Sequence, residues 1–171
     1  MDEMTLGTLA NYADIIGAFS IVTGLIVGWF HIRHLRAQQR DAIALNLAQT
    51  FYNRDLAEAI EVLHPLPDGI SLQEMRDMGP EVHRAAITFC TSFETMGLLV
   101  YNRIAPLDLV LDLAGGVVAT MNRKLRRWQE DVREEQQQPS WGEWFEWLGD
   151  QAVKRKVEQV PAHIQFADWK P

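Results

Sequence analysis

The stretch that decides the fold is residues 19–40, "FSIVTGLIVGWFHIRHLRAQQR". It passes without a break from side chains that carry no charge to a run dense in Arg and His. Extended back to Ile15, the uncharged stretch ends at Phe30, with Tyr12 before it and Trp29 at its end. A helix from Tyr12 to Trp29 would rise about 27 Å, close to the ~30 Å hydrocarbon thickness of a bilayer. Tyr and Trp favour the two membrane interfaces, because their rings are apolar and their polar tips seek water. A core helix in a soluble protein needs neither interfacial aromatics at both ends nor opposite charge on its two flanks.

Charge gives this expected span a direction. Residues 1–14 carry Asp2, Glu3 and Asp14 and no Lys or Arg, whereas residues 31–40 carry Arg33, Arg36 and Arg40 with His31 and His34. The positive-inside rule then places the N-terminus outside and the remainder in the cytoplasm. The acidic start does not fit the basic beginning of a cleaved signal peptide. The expected organisation is a short extracytoplasmic N-terminus (1–11), a transmembrane helix (12–32), a cytoplasmic helical domain (33–159) and a C-terminal tail (160–171).

Within the span, Ser20, Gly24 and Gly28 recur every four residues and line one stripe. Small side chains let helices approach closely in lipid, although glycine is also simply common there. The collar of His31, Arg33, His34, Arg36 and Arg40 either only fixes topology or also meets anionic headgroups.

Beyond the collar the apolar period is helical throughout, and the fold class expected is all-α: one N-terminal transmembrane helix continuing into a small cytoplasmic bundle. Ala44, Leu47, Ala48 and Phe51 follow i, i+3, i+4, i+7, and Leu56, Ile60 and Leu63 continue such a face, with a break near Asn53–Asp55. "PLPDG" (65–69) ends that run, and Ser71 with Glu74 spells a capping box for a short helix that Gly79 closes. Pro80 suits a first helical turn, with Val82, Ala86, Phe89, Phe93, Met96 and Val100 facing a core. "NRIAP" (102–106) is a loop. A helix from about Leu107 carries Val110, Ala114, Val117, Met121, Leu125 and Trp128, and Ser140 is placed to cap a last helix.

The segment "FCTSFETMGLLVYNRIAPLDLVLDLAGGVVATMNRKLRRWQEDVREE", followed by "WFEWLGDQA", resembles an uncharacterised family of small bacterial membrane proteins known only as a domain of unknown function. The matching elements are Phe93–Glu94, Gly97 to Val100, Ile104, Leu109–Val110, Gly115–Gly116, Trp128, Arg133 and the Phe145–Leu148 group, over roughly residues 35–153. The resemblance implies a single-pass helical protein and brings no catalytic residue with it.

Chemistry is sparse. The net charge of −7, with no long basic block, argues against nucleic-acid binding. The single cysteine, Cys90, excludes an intramolecular disulfide and a multi-cysteine zinc site. With His83 two turns away, Cys90 reads as a small core thiol. Glu94 lies on a largely apolar helix, where a carboxylate needs a partner; an ion pair with Arg123 or Arg127, or with Arg126 or Arg133, is expected, and a proton-active role is the alternative. Gly115–Gly116 inside a helical pattern suggests a close crossing or a kink. Trp141, Trp144 and Trp147 either close a small core or form a partner surface. No cofactor or metal is expected. The partners expected are membrane lipid and another protein or a second copy of the chain. The sequence therefore points to a non-enzymatic accessory or scaffold subunit, with a membrane-tethered sensor of anionic lipid or pH as the alternative.

Overall fold

In a computed structural model of the chain, residues 17, 19–35, 42–43, 49 and 53–170 are described. The chain divides into two units, Met1–Ile43 and Ala44–Pro171. In the first, residues 19–35 are helical, and the Thr23 hydroxyl returns to the Phe19 carbonyl at 2.8 Å. Among the described residues no helix is long and apolar enough to cross a membrane. Most of the start of the expected span, 12–16 and 18, lies outside them, as do Arg36, Arg40 and the stalk positions Ala44, Leu47, Ala48 and Phe51.

The second unit is all-helical, with no strand among the described residues. Its elements are α1 (Arg54–Leu63), α2 (Leu72–Met78), α3 (Pro80–Tyr101), α4 (Leu107–Gln136), α5 (Glu143–Glu158) and the short α6 (Ala162–Gln165). Local chemistry sets most boundaries. Asn53 accepts from the Asp55 N–H and starts α1 where the sequence breaks. Ser71 and Glu74 form the reciprocal capping box of α2, and Pro80 opens α3. Gln137, in the left-handed region at φ 52°, ends α4.

One correction concerns α5. Ser140 is not its cap; the helix begins after Gly142, whose φ is +70° and which has no side chain to offer. The Ser140 carbonyl only accepts from the Glu143 N–H in the turn before it. The cap comes from another helix, as described below.

The core lies where α3 packs on α1 and α5, and α4 packs on α5. Phe89, Phe93, Val110, Met121, Leu125, Trp128, Phe145 and Leu148 are buried there. The loop after α1 is fastened to α4: the Gly69 and Ile70 N–H groups donate to the Arg123 and Lys124 carbonyls, and the buried Lys124 ammonium donates to the Leu66 carbonyl. Asp131 accepts from the Leu72 N–H at 2.8 Å. Each of these bonds satisfies a backbone group that burial would otherwise leave without water.

Candidate functional site

The chemistry-bearing residues of the bundle converge on the start of α5. There Gly97 of α3 lies directly under the Trp144 carbonyl, so close that a Cβ at position 97 would collide with it. Gly149, five residues further along α5, sits equally hard against the Asn122 side chain of α4. These two glycines let α3, α4 and α5 meet. The expected crossing at Gly115–Gly116 does not occur: a Cβ on Gly116 would meet nothing within 4 Å, and one on Gly115 only the Leu111 side chain of its own helix at 3.5 Å. The Gly115–Gly116 pair instead borders an open groove of about 840 Å³ between α4, α5 and α6. Its cations are engaged, Arg155 with Asp108 and Asp112 and Lys156 with the Gly116 carbonyl.

Because α3 and α5 cross so closely, Glu94 reaches the first turn of α5. Its carboxylate accepts the Phe145 N–H at 2.8 Å, and the Trp144 N–H also favours the ionised form. Free N–H groups at a helix start attract negative charge. A carboxylate from α3 therefore supplies the cap that Gly142 lacks. Partial burial outweighs those bonds and holds the Glu94 pKa above the usual glutamate value, with Glu143 adding to the rise and Arg133 opposing it.

This corrects the expected ion pair. Arg123 bonds Asp68 instead, at 2.5 Å. Arg127 acts on Glu74 only through its charge. Arg126 reaches Glu146 at 3.2 Å. Arg133 donates to the Trp141 carbonyl at 2.7 Å and to Glu146 at 2.6 Å, fastening the turn before α5 and its first turn to α4.

Cys90 is buried beside this joint. Its thiol pKa is pushed up to about 12, mainly by burial and further by the Glu94 charge, which leaves it protonated and unreactive at neutral pH. His83 accepts from Trp128 Nε1 at 3.3 Å. Gln129, 1% exposed, has no hydrogen-bond partner for either side-chain amide atom among the described residues. A Cβ on Gly142 would come within 2.9 Å of the Gln129 oxygen and 3.2 Å of the Cys90 sulfur, so the three fill one tight corner.

The three tryptophans differ in their surroundings. Trp141 packs edge-on against buried Trp128, with centroids 5.1 Å apart, and closes the core. Trp144 and Trp147 are half-buried beside the exposed Tyr101, whose ring lies 4.4 Å from the first and 6.1 Å from the second. Ser20, Gly24, Gly28, His31, Arg33 and His34 lie in the N-terminal helical segment, and a Cβ on Gly24 or Gly28 would meet nothing within 4 Å. No group of three or more His, Cys, Asp or Glu able to hold a metal ion occurs among the described residues.

Residues 18–151 match the family model described as a domain of unknown function, DUF4760. The chain belongs to that family. The matched range takes in most of the N-terminal apolar segment and the bundle as far as Gln151. No curated protein and no solved structure matches the chain.

Proposed function

We propose that this member of the DUF4760 family is a non-enzymatic, single-pass membrane protein of the bacterial inner membrane. Its N-terminus lies outside, and its helical domain serves in the cytoplasm as an accessory or scaffold subunit. One observation carries the reading. In the helical segment 19–35, Phe19, Ile21, Val22, Leu25, Ile26, Val27, Trp29, Phe30 and Ile32 are each more than half exposed. A helix that is apolar on every side is stable only when surrounded by protein core or by lipid. The acidic N-terminal flank and the Arg-rich C-terminal one support the orientation. A scaffold role is favoured over chemistry by the occupation of the reactive groups: Glu94 caps α5, Cys90 is held protonated and His83 accepts from Trp128.

The full-length chain should stay in the membrane fraction through alkaline carbonate washing. In mild detergent it should purify with a stoichiometric companion or as a defined oligomer; a monomer with nothing bound would sink the scaffold reading. The exposure of His31 and Arg33 favours a second reading, a sensor of anionic lipid or pH. That reading requires headgroup contacts at the collar that weaken with salt and when Arg33, Arg36 and Arg40 are neutralised.

A further inference from the structure

The solvent side of α3 is unlike that of an ordinary surface helix. From Ile87 to Asn102 its exposed residues are Ile87, Thr91, Thr95, Leu98, Tyr101 and Asn102, none of them charged. The one charged residue in that stretch, Glu94, is turned to α5. The threonine hydroxyls are bonded back to their own helix, Thr91 to the Ile87 carbonyl at 2.8 Å and Thr95 to the Thr91 carbonyl at 3.1 Å. They therefore present methyl groups outward. Exposed Ile104 and the half-buried Trp144 and Trp147 widen the stripe at the Tyr101 end. The first charges met beyond it along the chain are Arg84 and Arg103, both exposed.

We infer that this face of α3, with Tyr101, Trp144 and Trp147, lies against the headgroup–acyl boundary of the bilayer. The inference rests on the reading of segment 19–35 as a membrane anchor. Three arguments select lipid as the occupant. Aromatic rings with polar tips partition to that boundary, and arginines at the two ends of an apolar stripe can extend to phosphates while their stems stay in the apolar layer. The stripe is about 22 Å long and, except at its Tyr101 end, one helix wide, short of the roughly 800 Å² per partner that a stable protein interface buries. A bilayer needs no such area, because an anchor on the same chain keeps the lipid surface at high effective concentration. Contact of this kind depends on apolar partition rather than on lipid charge, unlike the headgroup binding considered for the collar.

The test uses the full chain in nanodiscs of zwitterionic phosphatidylcholine, in a Cys90→Ala background, with one nitroxide label at Thr95→Cys, Gln73→Cys or Gly24→Cys. Collision with oxygen, which concentrates in lipid, and with a water-soluble nickel chelate is measured at each. The Thr95 label should show oxygen access raised and nickel access lowered several-fold relative to the exposed Gln73 label, unchanged by salt. Leu98→Glu should return it to the behaviour of the Gln73 label. A Thr95 label that behaves like the Gln73 label, while the Gly24 label reports lipid, overturns this inference and leaves the anchor standing. A Gly24 label in water overturns the anchor itself. A Thr95 label shielded from both reagents and broadened by a second label makes the face a contact between copies, which also overturns the inference.

Discussion

Helices α3 and α4 are the two longest of the bundle and are built on opposite plans. On its inner side α3 is pressed so close to α5 that Gly97 has no room for a methyl group, while outside it carries no charge for four turns. On α4 the glycine at 116 opens onto a groove, and the outer side bears Asp108, Asp112, Arg123, Arg126, Arg127, Glu130, Glu134 and Glu135. Several of these reach neighbouring elements, Arg123 to Asp68, Glu135 to Arg76 and Asp112 to Arg155. The difference teaches that α4 is the solvated spine, tied outward by ion pairs of small individual worth. Helix α3 spends its inner face on the fold and keeps its outer face for something else.

The sharpest way to break that contrast is a methyl group on each helix. Gly97→Ala should lose about 2–3 kcal/mol in urea unfolding, because the Trp144 backbone must move. Gly116→Ala should gain up to about 1 kcal/mol, because only helix propensity changes. Equal effects would mean that the close crossing is not where α3 and α5 meet. Arg133→Ala should cost about 2 kcal/mol, since the Trp141 carbonyl and Glu146 both lose a charged donor at a half-buried joint. Gln129→Met should stabilise the fold by about 1 kcal/mol, because it removes two buried amide atoms without partners and keeps the volume; a loss would show that the amide is satisfied in solution.

The smallest effect concerns Glu94. Its pKa is raised in the folded state, so the folded protein holds this proton to higher pH than the unfolded chain does. The stability it contributes is complete below the ordinary glutamate pKa and is lost as pH rises through the raised value. Unfolding titrations of wild type and Glu94→Gln should therefore diverge across that window, with wild type losing relative stability as pH rises, and run parallel above it.

Much of the bundle was legible in the chain. Ser71 with Glu74 and the proline at 80 act within one turn, so their spacing gives the structure directly. The apolar period likewise marked the buried faces of α3 and α4 through Phe89, Phe93, Val110, Leu125 and Trp128. What escaped depends on which helix lies across which. Gly97 looks like any helical glycine until Trp144 is placed over it, whereas the Gly115–Gly116 pair is conspicuous in the sequence and makes no close crossing. Glu94, a carboxylate on an apolar helix, needs a partner, but its spacing does not separate arginine side chains from the backbone N–H groups that it meets. The sequence hides the borrowed cap, because Ser140 offers a side chain of the right type while the helix starts only after Gly142.

That borrowed cap has a consequence for how the domain comes together. The acceptor for the first turn of α5 stands 51 residues earlier in the chain. A sixteen-residue helix is marginal alone in water, so α5 has little reason to persist until the chain between them has looped back and α3 is in position. Loop closure over that distance must come before the reward. Folding of this domain should accordingly be all-or-none, and a fragment ending before α5 should leave α3 as unsettled as the helix it was meant to start.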